Sequence, residues 1–239
     1  MLSSLYTAAS GMEAAEALHA ATAHNLAHAH QAGFRRMLAT DQTMLRNGED
    51  SRLENDLTGL QSTQQIDLTT GTLEHTGETL DLALDGAGFF TVQGPAGPLY
   101  TRNGVFHLAG DGTIVTSDGL PLAGSNGPIV VPPQTQLAQL TVGLDGSVRV
   151  DGNEVGRIEL ANFEDPTRLE SVGVTLFRAP DGLAATDVSA SVLQGTIEHS
   201  NVSPVGELVA LITASRRYEA SQRALRSIDE STQKLIARR

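Results

Sequence analysis

At 239 residues and 40% hydrophobic content, the chain has apolar material for one large domain or two modest ones. Its formal net charge of −12, with Lys234 the only lysine, excludes the basic footprint of a nucleic-acid binder. The lack of cysteine excludes disulfides, thiolate metal sites and a cysteine nucleophile, while 24 glycines and 4% aromatic residues suit a turn-rich stacked structural protein better than a ligand pocket.

The opening residues, Met1-Leu-Ser-Ser-Leu-Tyr-Thr-Ala-Ala9, carry no cationic stretch and no continuous apolar run, so they do not read as a cleavable secretory signal. No window reaches the ~18 apolar residues of a membrane span, and no membrane span is expected. That leaves the cytoplasm, or export by a route that keeps the N-terminus intact. From Ser3 to Ala29 the dominance of Ala, Leu, Met and Glu predicts a helix. Leu5, Met12, His19 and Leu26 recur every seven residues, and Ala8, Ala15, Thr22 and Ala29 follow three places later. Small residues along such a stripe admit a close neighbouring helix. Gln31-Ala-Gly33-Phe34 then supplies a stop, with Gly33 suited to the left-handed conformation. Residues 47–71 are polar, are punctuated by Gly48, Gly59 and Gly71, and read as an extended connector.

Between Leu73 and Leu193 the pattern changes to short β-branched runs separated by Gly, Pro and Asp-Gly. Leu80–Leu84, Phe89–Val92, Leu99–Thr101, Thr113–Thr116, Pro128–Val131, Leu140–Val142, Ser147–Val150 and Gly156–Leu160 predict an antiparallel β domain. Asp111–Gly119 and Asp145–Gly152 each read as a strand between two Asp-Gly turns. Ser203-Pro204 then opens a second helix, with the hydroxyl as N-cap, proline at the first helical position and Glu207 in the first turn. Leu211, Tyr218, Leu225 and Thr232 form one seven-residue column along it, and Ala214, Ser221, Ile228 and Leu235 the other. The arginines of this segment are interspersed with Glu219, Asp229 and Glu230, as on the polar face of a helix.

The chemical motifs are weaker than the structural ones. His24 and His28 have the i, i+4 spacing of zinc-protease ligands, yet Asn25 stands where the general-base glutamate belongs and no third ligand follows. Asp111, Asp118, Asp145 and Asp151 each precede a glycine, where aspartate caps turn backbone, and they lack the spacing of a calcium loop. Gly86-Ala-Gly88 leads into a strand, not into the helix N-terminus that a phosphate cradle requires. No catalytic residue, metal site or cofactor is expected. A zinc hydrolase built on His24 and His28 is the alternative of another class.

Five segments in register resemble the bacterial flagellar basal-body rod and hook family. They are Leu5–Met12 with Asn25-Leu-Ala27 and Gly33-Phe34; Gly71-Thr-Leu73 with Leu80–Phe90; Tyr100–Gly104 with Phe106; Ser200–Val205; and Glu207-Leu-Val209 with Arg217–Ala220. His28 and His30 depart from the pattern, standing where the family favours asparagine before the turn at Gly33. The resemblance implies a structural subunit, exported unfolded by the flagellar type III apparatus and polymerised helically in the periplasm into the drive shaft and export channel. It also implies contacts with copies of itself and with other rod proteins, with ring proteins and peptidoglycan as further candidates. Total length, Gly127–Pro132 and the Arg216–Ser221 segment lean towards a proximal-rod subunit, with the distal rod as the alternative.

The expected fold is α+β. Residues 1–46 and 196–239 supply terminal helices forming a coiled-coil-like rod domain, 47–71 the extended connector, and 72–195 the central antiparallel β domain. The expected assembly interface comprises Leu5, Met12, Leu26, Gly33, Phe34, Asn201, Pro204, Leu211, Tyr218, Leu225, Ile228 and Leu235.

Overall fold

The structure, a computed structural model, describes residues 2–45, 57–132, 137–186, 188 and 190–236. The chain divides into two compact units, one joining 1–27, 36–67 and 202–239, the other joining 28–35 to 68–201.

The first unit contains α1 (Leu2–Ala27), a hairpin of β1 (Met37–Leu45) and β2 (Leu57–Ile66), and α2 (Pro204–Ile236). Among the described side chains of α1 the buried positions are Ser10, Ala14, Ala15, Ala21, Thr22 and Asn25, a helical stripe made of small side chains. Ala214 of α2 is buried too, and a Cβ placed on Gly11 would lie 3.3 Å from Ser221 Oγ. The two helices therefore approach closely, and the hairpin packs on α1 as well.

The described residues of the second unit form seventeen short strands. In chain order they are β3 (Leu73–His75), β4 (Leu82–Asp85), β5 (Phe89–Gly94), β6 (Gly97–Thr101), β7 (Phe106–Leu108), β8 (Ile114–Thr116), β9 (Ala123–Gly124) and β10 (Gly127–Pro128). Then follow β11 (Leu140–Val142), β12 (Ser147–Val150), β13 (Asn153–Arg157), β14 (Leu160–Phe163), β15 (Glu170–Ser171), β16 (Leu176–Arg178), β17 (Ala185–Thr186), β18 (Ser191–Gln194) and β19 (Thr196–Glu198). The largest sheet has the order β15-β16-β6-β5-β14-β17; β11-β12-β13 make a second, and β4 pairs with β18 and β3 with β19. All these pairings are antiparallel. One continuous core joins Leu82, Leu84, Phe90, Val92, Phe106, Ile114, Leu122, Ile129, Leu140, Val148 and Val192. The turn chemistry explains the register: Asp151 and Gly152 both take positive φ, 52° and 82°, as the two-residue turn between β12 and β13 demands.

The central antiparallel β-rich domain is present, but the expected coiled-coil-like rod domain is not. Strands outnumber the two α-helices throughout the described chain, and the helices share their unit with a long hairpin. His19 and Tyr218, both members of the seven-residue columns, are exposed. A seam of Ala, Thr, Ser and His offers too little apolar area for a self-supporting coiled coil, so the unit buries α1 against strands as well. Within the segment read as a connector, Leu57–Ile66 is a strand paired with Met37–Leu45, in register from Met37–Ile66 to Thr43–Leu60, and 47–56 lie outside the described residues.

Candidate assembly interface

The start of α2 follows from three residues. Ser203 ends the preceding loop, its carbonyl accepting from Glu207 N at 2.9 Å and its hydroxyl from Gly206 N at 3.4 Å, and Pro204 begins the helix. Glu207, in the first turn, does more than favour the helix dipole. Its buried carboxylate accepts from Arg36 Nε at 2.6 Å and from Asn25 Nδ2 at 3.3 Å. Asn25 in turn locks β1 to α1, its amide exchanging two hydrogen bonds of 2.8 Å with the Met37 backbone. This side of α2 is therefore fixed by charge and hydrogen bonds.

Another side of the same helix is apolar and uncovered. Val205, Leu208, Val209 and Ile212 follow the i, i+3, i+4, i+7 spacing of one helical face, with exposures of 72%, 47%, 61% and 53%. Tyr218, at 38% exposed, continues outward along the helix. It lines a groove in this unit together with Ala15, Glu16, His19, Ser215 and Glu219. Four neighbouring aliphatic side chains left in water are the signature of a surface that meets another protein.

The residues expected at the interface are distributed unevenly. Met12, Leu26, Leu211, Leu225 and Ile228 are half-buried, as are Pro204 and Asn201, whose amide donates to Thr69 O and Oγ1 at 3.1 Å each. Gly33 and Phe34 are buried within the second unit, Gly33 donating to Glu198 O at 2.7 Å. Gly33 has φ 68°, and a Cβ there would lie 2.1 Å from Asn103 N, so close backbone approach requires it as much as the turn does. The side chains of Leu5 and Leu235 lie outside the described residues. The exposed face from Val205 to Ile212 was missed because the seven-residue columns selected Leu211 and Ala214. The four-residue spacing directly after Pro204 was the available signal.

The second unit is anchored by a buried ionic cluster that sequence reasoning also missed. Glu198 accepts from Arg35 Nη2 at 2.6 Å, Arg102 Nη1 at 3.2 Å and Gly71 N at 2.8 Å. Arg102 also donates to Gly86 O at 2.7 Å and lies over the Phe89 ring at 5.5 Å. Burial lowers the pKa of Arg102, Glu198 opposes that shift, and the neighbouring Arg35 adds to it.

The aspartates do turn work. Asp111 Oδ1 accepts from Thr113 N at 2.9 Å, and Asp145 Oδ1 from Ser147 Oγ and N at 2.7 and 3.2 Å, bonds that hold both carboxyls below their ordinary pKa. His28 is engaged locally, sharing a hydrogen bond with Gln31 Oε1 at 3.1 Å and packing on Phe34 with ring centroids 5.4 Å apart. Among the described residues no group of three or more His, Asp or Glu side chains could hold a metal ion.

Two family models match the chain. That of the flagellar hook protein FlgE/F/G D1 domain covers residues 83–150, and that of the flagellar basal body rod FlgEFG protein C-terminal region covers 193–238. Among curated proteins, a flagellar basal-body rod protein FlgG of Buchnera aphidicola (Schizaphis graminum) is 32% identical over 263 positions, covering 98% of this chain and 99% of its own. The FlgF rod protein of Caulobacter vibrioides is 33% identical over 225 positions, covering 90% and 89%. The FlgF of Mesorhizobium japonicum is 31% identical over 241 positions, covering 99% and 97%.

Proposed function

This chain belongs to the flagellar basal-body rod protein family, whose members are structural and not catalytic, and from that membership we propose that it is a proximal-rod subunit assembling through the exposed face of α2. At the coarser level it is a structural subunit of the flagellar basal-body rod, where such proteins assemble with other basal-body components.

Length favours the proximal position. The alignment with the Mesorhizobium FlgF runs over 241 positions, close to the 239 residues of this chain, whereas that with the Buchnera FlgG needs 263. That FlgG thus carries insertions that this chain and the Mesorhizobium FlgF lack. The distal rod is the second reading, favoured by the near-complete coverage of that FlgG.

The observation that carries the assembly role is the row Val205, Leu208, Val209 and Ile212 left in water. Burying such a row against a neighbour is worth about 25 cal/mol per Å² of apolar surface. Repeating one such contact head-to-tail without closure generates a helical filament. In this reading the neighbours are copies of this chain and other rod proteins, and Met12, Leu26, Leu211, Tyr218, Leu225 and Ile228 extend the contact. In the same reading the chain reaches the periplasm through the flagellar type III apparatus. Ring proteins and peptidoglycan lie within reach of the assembled shaft.

Substituting Val209→Asp together with Ile212→Asp tests the role directly. Both sites are exposed, so the purified chain keeps its unfolding free energy within about 0.5 kcal/mol, while cells carrying only the variant become non-motile and lack hooks. Normal swimming by such cells would sink the assembly reading. Imaging the axial position of the labelled subunit in intact basal bodies separates proximal from distal.

A further inference from the structure

Glu198 answers two buried guanidinium groups with a single charge. Arg35 Nη2 lies 2.6 Å from one carboxylate oxygen and Arg102 Nη1 3.2 Å from the other, with all three side chains at most 7% exposed. The cluster therefore retains one positive charge without an anion. Arg102 directs Nη2 to Gly86 O, but Arg35 Nη1 is buried and has no hydrogen-bond partner. A buried cationic donor without an acceptor is a standing cost to the fold, and proteins remove such costs by pairing.

A cleft of about 260 Å³ in the same unit is lined by Arg35 and Arg102, with Thr70, Ala87 and Asn162 among the other residues of its wall. That is several times the ~30 Å³ share of a water molecule. Among the described residues the wall combines two cationic side chains with a hydroxyl and an amide, all able to donate, and includes no carboxylate. Such a set matches a planar anion with two oxygens.

We infer that this cleft is a carboxylate-binding site, in which the incoming group neutralises the residual charge of the Arg35–Glu198–Arg102 cluster and supplies an acceptor for Arg35 Nη1. Two sources can deliver the group: a free carboxylate ion, or an Asp or Glu side chain of a neighbouring rod subunit. The chain is rich in the second, with 28 acidic residues against 16 basic ones. The site itself stands on the isolated chain, so its test is separate from that of the rod assignment.

The full-length monomer is titrated with sodium acetate against sodium chloride at constant ionic strength, and the Arg35 and Arg102 Nε–H resonances are followed by NMR. Acetate is expected to move both resonances saturably, with chloride producing a smaller, unsaturated drift. In Ala87→Glu, which puts a tethered carboxylate on the exposed rim of the cleft, the acetate response is lost. Resonances that move no more with acetate than with chloride would overturn the inference, as would an undiminished response in folded Ala87→Glu. Should that variant not fold, the wild-type titration decides alone. Given a saturable response, motility of cells carrying only Ala87→Glu assigns the source. Loss of swimming points to a neighbour's carboxylate displaced by the tethered one, and retained swimming points to a free ion.

Discussion

Glu198 sits on a short strand in the segment Thr196-Ile-Glu-His199, which by itself reads as the polar side of an edge. Its consequence lies in what it neutralises. Replacing it by glutamine keeps the shape but leaves Arg35 and Arg102 buried without a counter-charge, a situation that costs about 3–5 kcal/mol. Chemical denaturation of Glu198→Gln, followed through the near-ultraviolet signal of the tyrosines, is expected to show that loss; a change below about 1 kcal/mol would mean that the cluster is solvated. None of this was legible in the sequence, because Arg35 and Arg102 lie 163 and 96 residues away. Asp111 and Asp145 were legible for the opposite reason. Their partners, Thr113 and Ser147, stand two residues on, so the local preference of aspartate before glycine already contains the geometry.

Among elements, the strands and helix starts that depend on local chemistry were readable. Leu140–Val142 and Ser147–Val150 form as expected, and α2 begins at Pro204. The hairpin of β1 and β2 escaped because its residues, Met37-Leu-Ala-Thr-Asp-Gln-Thr-Met-Leu45 and Leu57–Ile66, are too polar to alternate cleanly. Seven-residue periodicity, conversely, suggested a coiled coil where spacing was right but side chains were too small. Glycines offer a sharper test of how elements meet. Leu82 N donates to Gly104 O at 2.9 Å, and a Cβ on Gly104 would lie 1.5 Å from Leu82 O, so Gly104→Ala forces β4 away from its neighbour. Gly77 has φ 77° but faces open space, so Gly77→Ala pays only the left-handed strain of about 1–2 kcal/mol. The expected result is an unfolding midpoint lowered far more by Gly104→Ala than by Gly77→Ala. Equal effects would show that backbone conformation, not the approach of the strand, makes glycine necessary at both.

The molecule as a whole is threaded discontinuously. The second unit is nearly one stretch, 68–201, completed by 28–35 from the other side of the hairpin. That short piece carries Phe34, 1% exposed, and Arg35 of the ionic cluster. A fragment spanning 68–201 therefore removes Arg35, one partner of Glu198, whereas 28–201 keeps it. The shorter fragment is expected to melt well below the longer one, and equal midpoints would show that 28–35 is dispensable to that unit. The first unit has the opposite topology, since α1 and α2 meet only after the whole intervening chain has been laid down. Such a contact spans the greatest sequence separation in the fold, and contacts of that kind slow folding because the loop must close before they reward it. When the N-terminal end of the chain is delivered first, α1 has to wait for α2, and in that interval the face of Ala14, Ala15, Ala21 and Thr22 has no helix of its own chain to close upon.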